Sequence, residues 1–319
     1  MWEGLIVILL LEEKQVPKLD SSAKRKDYLV RLASYASVVV AATLIIIKLY
    51  AWNLTDSVSI LSSLVDSILD ILASLVTAFA VHHALQPADR EHRFGHGKAE
   101  SIAGLGQSLF VIGSAFYLVY ESVLRIFSPQ AIQSSDTGII VMFLSIFLSI
   151  VLVSFQRYVI KVSGSVAISA DSLHYKGDIL LNGSVILAIV LSTYFQWVLA
   201  DPIIAISIAG YIFYLAYKLA RGSLDFLMDR ELSDEDRERI KKAVLSHHEV
   251  EGIHDLRTRS SGRFSFIQFH LEIDGKKSLT ESHRISDEVE GEVQKLFPDA
   301  EILIHQDPEG ILEEQKTFE

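Results

Sequence analysis

The sequence predicts an α-helical integral membrane protein of six transmembrane helices, followed by a small cytoplasmic α+β domain. Three observations carry this expectation. Half of the 319 residues are hydrophobic and the mean hydropathy is +0.32, yet the apolar residues gather into long runs with the charges between them. Residues 1–221 hold 16 Lys+Arg against 16 Asp+Glu, whereas residues 222–319 hold 13 against 24, so the tail supplies the whole net charge of −11. The apolar runs are interrupted by acids at helical spacing in only two of the six.

The helices are expected near residues 28–50, 56–83, 101–126, 137–158, 166–193 and 199–220. The fourth is the clearest, because Thr137 to Gln156 contains no charged residue and about 20 apolar residues suffice to cross a hydrocarbon core. Orientation follows from the basic residues. Lys24, Arg25, Lys26 and Arg31 open the first helix, Arg90, Arg93 and Lys98 follow the second, Arg157 and Lys161 follow the fourth, and Lys218 and Arg221 end the sixth. The positive-inside rule makes these ends cytoplasmic and places both termini inside. The opposite loops, near Trp52–Thr55, Ser128–Ser135 and Tyr194–Ala200, carry no basic residue, and Lys48 and Arg125 are expected to snorkel from outward helix ends.

The organisation expected is a lead-in over 1–25, peripheral or disordered, a membrane domain over 26–221, a linker over 222–228, a soluble domain over 229–308 and a tail over 309–319. The lead-in does not read as a signal peptide, since Gly4–Leu11 is short, preceded by Glu3 and followed by Glu12 and Glu13. Within the soluble domain the pattern is αββαβ. Ser233–His247 and Glu281–Leu296 read as helices, and Ile253–Arg259, Phe264–Ile273 and Glu301–Gln306 as strands. Its acidity excludes a nucleic-acid partner, which would require a basic face.

Chemistry is concentrated in the second and fifth helices. Asp66 and Asp70 in one, and His174 and Asp178 in the other, are each spaced i, i+4 and so share a helix face. An ionised group at mid-bilayer costs about 3 kcal/mol, so this quartet costs on the order of 10 kcal/mol unless compensated. A divalent cation compensates it. The alternative is that these residues pin helix packing, a role normally taken by neutral side chains. Asp171, one turn before His174, reads as a group orienting the imidazole or as a structural one. With no cysteine in the chain, thiolate ligands and disulfides are excluded and any metal site is built from His and carboxylate, which favours Zn2+, Fe2+, Mn2+ or Co2+ over copper(I).

Two further groups have ligand character. The loop from Pro87 to Glu100 holds Asp89, His92 and His96, with glycines flanking His96, and reads either as a cytoplasmic metal site or as a solvated polar loop. His82 and His83 nearby carry no assignment. In the soluble domain, His270 and Glu272 alternate on one strand face, as do His305 and Asp307, and His254 and His283 add two more imidazoles. These could form a cluster or remain separate surface residues.

Five blocks then carry a resemblance. They are Ser63–Asp70, Arg93–Glu100, His174–Asp178, Ile253–Arg259 and Ile304–Pro308. In this order they resemble the signature blocks of the cation diffusion facilitator family, closest to its bacterial zinc and ferrous-iron efflux branch, over Lys26 to Pro308. The resemblance implies a homodimer in the inner cell membrane, with cytoplasmic domains of metallochaperone-like fold and three kinds of metal site. Asp66, Asp70, His174 and Asp178 would form a tetrahedral transport site. Asp89, His92 and His96 would form a loop site, with Arg90 and Arg93 making that loop more basic than a cation site would suggest. His254, His270, His283, His305 and Asp307 would form a binuclear cytoplasmic site. A charge interlock would map onto Lys98, Asp229 and Arg259.

The expected activity is proton-coupled efflux of divalent cations by alternating access, because metal ligands must be deprotonated and loading therefore expels protons. His174 is the natural exchanger, an unperturbed imidazole titrating near pH 6.5. Three carboxylates and an imidazole suit Zn2+, with Fe2+, Cd2+ or Co2+ as alternatives. An intramembrane metalloenzyme would require a general base beside an open coordination position, as in His-Glu-x-x-His, and no such string occurs. A metal-sensing receptor is the remaining rival.

Overall fold

The computed structural model describes residues 21–310 apart from 57, 128–135, 196, 198 and 263. The expectations for residues 1–20, for the outward loop at 128–135 and for the tail at 311–319 lie outside the described residues.

Six helices long and apolar enough to span a bilayer occur among the described residues: α1 (Ser21–Thr55), α2 (Val58–Ala84), α3 (Lys98–Phe127), α4 (Asp136–Ser163), α5 (Val166–Phe195) and α6 (Ala200–Leu227). The chain is a multi-pass membrane protein. α1, α3, α4 and α6 run several residues past the bounds that apolarity suggests, while α2 and α5 stay within two. A helix satisfies its own backbone hydrogen bonds and has no reason to stop where the hydrocarbon stops. α1 is extended at both ends, and α6 continues to Leu227 and absorbs most of the linker expected over 222–228. α6 ends where Asp229 adopts φ +58°, a left-handed conformation that aspartate tolerates better than most side chains.

Small side chains line the inside of the bundle. Ala33, Ser37, Ala41, Ser67, Ser74, Ser108, Ala209 and Ala216 are buried, while Phe79, Phe116, Phe143 and Phe147 face outward. Without a hydrophobic driving force between helices in lipid, close backbone approach and interhelical hydrogen bonds hold such a bundle together. α3 packs most extensively against α6, α1 lies against α2 and α4, and α5 touches α2, α3, α4 and α6.

The soluble domain follows the expected αββαβ order: α7 (Asp234–Leu245), β1 (Gly252–Ser261), β2 (Phe264–Ile273), α8 (Leu279–Leu296) and β3 (Ala300–Pro308). β2 is the central strand, antiparallel to β1 and parallel to β3. Its residues Ile267, Phe269, Leu271 and Ile273 meet Ile240 and Val244 of α7 and Ile285, Val289 and Val293 of α8, a stripe repeating every four residues. α8 opens with a reciprocal cap, in which Ser278 and Glu281 each accept from the other's backbone N–H.

An ionic chain ties the segment after α7 to the start of α8. Glu249 accepts from Lys277 at 2.8 Å and from Arg284 at 2.6 Å, and Arg284 also donates to Glu288 at 2.6 Å. The hydrogen bonds from Lys277 and then Arg284 hold the Glu249 carboxyl down at about 2. The unfolded carboxyl titrates near 4.3, so this carboxylate's contribution is complete above that value and disappears as pH falls toward about 2. Glu249→Gln should therefore lower the hydrogen-exchange protection of the Ile267 and Phe269 amides at pH 6, with the gap to wild type closing as pH drops toward 3. A gap independent of pH would contradict the assignment.

Membrane and soluble parts meet at a compact junction. Asp229 bonds Lys98 at 2.9 Å and faces Arg259 at 3.7 Å, so the three residues of the expected charge interlock do come together. The Arg259 guanidinium also covers the rings of Phe94 and Phe266, at 4.5 and 4.9 Å from their centres. Beside it the backbones touch. A Cβ on Gly97 would lie 2.5 Å from the Gly262 amide nitrogen and 2.6 Å from the Ser261 carbonyl oxygen, and Gly262 itself sits at φ +63°.

Candidate metal sites

In the membrane, α2 and α5 bring Asp70, His174 and Asp178 together, each offering a ligand atom within 4.8 Å of the others. His174 Nε2 lies 2.8 Å from Asp70 Oδ1 and 3.8 Å from Asp178 Oδ2. Asp66 does not join this group. It stands one helical turn toward the N-terminal end of α2, about 6 Å of rise away, on an exposed position. Three of the four expected ligands thus form a cluster and the fourth flanks it.

One neighbour differs from expectation, and a second takes the structural one of its two expected roles. Lys48 does not snorkel; its side chain is buried and turns inward from α1, donating to the Ser63 carbonyl at 3.0 Å and to Ser67 Oγ at 2.7 Å on α2. Its charge acts on Asp70, Asp178 and Asp66, and so offsets part of the negative charge of the cluster. Asp171 does not orient the imidazole. Its buried carboxylate accepts from Ser37 of α1, from Gln156 of α4 at 2.6 Å and from Ser74 of α2 at 3.5 Å. Tyr175 adds a hydroxyl donated to the Ser37 carbonyl at 3.1 Å and shared with Ser74 at 3.1 Å. This network locks α5 to three other helices and thereby fixes the rotation that presents His174 and Asp178.

The loop after α2 gathers Asp89, His92 and His96 within the same 4.8 Å limit. Asp89 lies 3.4 Å from His92 Nδ1 and 3.3 Å from His96 Nε2. The backbone amides of His92 and Glu91 donate to Asp89, holding its carboxyl below the usual range, so a ligand anion is ready at neutral pH. His96 is buried and its Nδ1 has no hydrogen-bond partner. A carboxylate with two imidazoles, one carrying an orphaned nitrogen, fits a zinc-type ion.

The cytoplasmic group is written across the sheet. Strand register sets His254 opposite His270 and His270 beside His305, and sets Glu272 beside Asp307. Ring centres are 4.9 Å apart for the first pair and 4.6 Å for the second. Asp307 Oδ2 lies 2.7 Å from His270 Nδ1 and 3.4 Å from His254 Nε2, which has no hydrogen-bond partner, and Asp307 Oδ1 lies 3.2 Å from His305. A bulge between His254 and Arg257, with Asp255 at φ +47°, turns the strand here. Glu272, 2.7 Å from His254, joins the set and was legible from its alternation with His270. His283 does not join. It projects from α8, exposed, 3.7 Å from Asp287, because its helix packs on the sheet through Ile285 and Val289. Another His-rich group, His247, His248 and Glu249, is less suited to a cation, since its carboxylate is already held by Lys277 and Arg284.

Six spanning helices around a half-buried histidine–carboxylate cluster, continued by a histidine-lined soluble domain, define a membrane protein built to move cations. Two family models match, the cation efflux transmembrane domain over residues 34–228 and the cation efflux protein cytoplasmic domain over residues 232–309. The cation-efflux pump FieF of Shewanella oneidensis is 47% identical over 282 residues, covering 88% of this chain and 95% of that protein. Protein p34 of Rickettsia rickettsii is 44% identical over 301 residues, covering 94% and 99%. Among solved structures, the metal-bound C-terminal domain of the CzcD transporter from Thermotoga maritima is 29% identical, covering 25% of this chain and 93% of that one with a TM-score of 0.24. The chain belongs to the cation diffusion facilitator family, and is a cation-efflux transporter rather than an enzyme.

Proposed function

We propose that the chain exports Zn2+ from the cytoplasm in exchange for protons, as a homodimer in the inner cell membrane with both termini cytoplasmic. The observation that carries this reading is the Asp70–His174–Asp178 group, three titratable ligands meeting between two spanning helices. A cation entering there takes the carboxylates of Asp70 and Asp178 and the imidazole of His174, and Asp66, on the adjacent turn of α2, completes four ligands by turning inward. Protons arriving from the far side compete for the same atoms and release the ion. Rocking of helix groups around this fixed site exposes it to each side in turn.

The imidazole in an otherwise oxygen set supports Zn2+ over manganese, with Fe2+, Cd2+ or Co2+ acceptable to the same geometry. His254, His270, His305 and Asp307 would hold metal in the cytoplasm, and binding that favours one arrangement of two tails shifts their equilibrium toward it. The deciding experiment is metal flux in sealed proteoliposomes containing the full chain, with Zn2+, Fe2+, Mn2+ and Cd2+ compared. Zn2+ uptake should accelerate when the vesicle interior is made acidic relative to the bath and stall when an ionophore collapses the gradient. Uptake indifferent to the gradient would remove the proton step, and no flux of any metal would favour a receptor that senses without transporting.

A further inference from the structure

The last turn of α2 ends in two histidines, and only one of them is turned to the loop that follows. His83 stacks parallel to Phe79, with ring centres 6.3 Å apart, and sets its ring against His96 at 4.6 Å. His96 in turn lies 4.6 Å from the His92 ring. Two imidazoles therefore flank one buried histidine whose Nδ1 has no partner, in a chain with only 11 histidines.

With Zn–N bonds of about 2.0–2.1 Å and tetrahedral angles, two imidazoles on one ion have ring centres roughly 5 Å apart. Both pairs are already at that separation. The His83 ring already contacts that of His96, and Gly95, at φ +77°, makes the turn in the loop between them. A buried imidazole left without a partner costs on the order of 1–3 kcal/mol, and a bound ion removes that cost by drawing the rings round itself.

We infer that His83 is a fourth ligand of the loop site, so that Asp89, His92, His96 and His83 hold one borderline divalent ion, Zn2+ or Co2+, through three nitrogens and one oxygen. This rests on the reading of the loop as a metal site, and it inverts the donor balance of the membrane cluster, where carboxylates outnumber the imidazole. A nitrogen-rich set at the inner mouth of α2 discriminates against hard oxygen-seeking ions such as Mg2+ and Mn2+ before they reach the carboxylates.

The test uses Co2+ alone, whose visible absorption reports nitrogen number and geometry, with Zn2+ displacing it. The protein is the full-length chain in detergent, carrying Asp70→Ala and His270→Ala to silence the other two groups. Added His96→Ala should abolish the remaining tetrahedral Co2+ spectrum. Added His83→Ala should weaken Co2+ and Zn2+ binding by at least the roughly tenfold that loss of a supporting partner of a ligand costs, and should shift the absorption bands. Added His83→Phe keeps the ring against Phe79 and His96 but has no nitrogen, and should behave as His83→Ala does. Wild-type affinity and spectrum in His83→Ala, or recovery of both in His83→Phe, would overturn the fourth ligand while leaving the loop site standing. A background protein indistinguishable from its His96→Ala derivative would overturn the loop site itself, and the inference with it.

Discussion

Asp70→Ala is expected to reduce Zn2+ flux in proteoliposomes to the level of protein-free vesicles, with the purified variant retaining its helicity. Asp70 provides the shortest contact in the membrane cluster, 2.8 Å to His174, and is one of only two carboxylates already within reach of the imidazole. Removing one partner from a buried charged set costs about 3–5 kcal/mol, and each 1.4 kcal/mol is tenfold in affinity, so binding falls by roughly 10²–10⁴. Asp70→Asn separates the causes, since it keeps the shape and removes the charge. It should be nearly as inactive as the alanine variant. Flux at the wild-type rate in either would mean that the ion crosses elsewhere.

Gly97→Ala is expected to be the most damaging single methyl in the chain outside the membrane cluster. Both atoms it meets, the Gly262 amide nitrogen and the Ser261 carbonyl oxygen, are backbone, so no rotamer change relieves the clash. Overpacking of this kind costs about 1–3 kcal/mol. The strain is discharged by parting the loop from the β1–β2 turn, which also pulls Lys98 from Asp229 and Phe94 from Arg259. A fall of several degrees in melting temperature is expected, with faster hydrogen exchange at the β1–β2 turn. Gly106→Ala is the control, because nothing lies within 4 Å of the added methyl and alanine favours the helix. Equal melting temperatures for the two variants would show that the junction yields freely.

Most of the architecture was legible because lipid imposes a simple rule on sequence. Apolar runs of sufficient length must be helices, and an acid inside one must be compensated, so Asp70, His174 and Asp178 were conspicuous before any fold was known. Helix ends were less legible, since α1 begins at Ser21, ahead of Lys24, Arg25 and Lys26, where hydropathy has already turned polar. Lys48 was misjudged because a lysine near a helix end usually reaches for water. Only the tertiary contact with Ser63 and Ser67 reveals that it turns inward. The cytoplasmic row of His254, His270 and His305 depends on strand register, which spacing within one strand cannot supply. His283 was carried by resemblance, and the packing of α8 leaves it outside the group. The approach of His83 to His96 joins residues 13 apart through a turn at Gly95, which no helical or strand period announces.

The hydrogen bonds of Asp171 have a mechanical consequence. They run from α5 to α1, α2 and α4 in apolar surroundings, where freeing the carboxylate from its partners would leave it stranded at a cost of several kcal/mol. Those four helices consequently behave as one stiff plate. α6 meets α5 through Ile212 and Ala216 against Leu173, all apolar, whereas α3 is tied to the plate by Gln107, which donates to the Ala73 carbonyl at 3.1 Å and to Thr77 Oγ1 of α2. Asp70, His174 and Asp178 all stand on that plate, on α2 and α5.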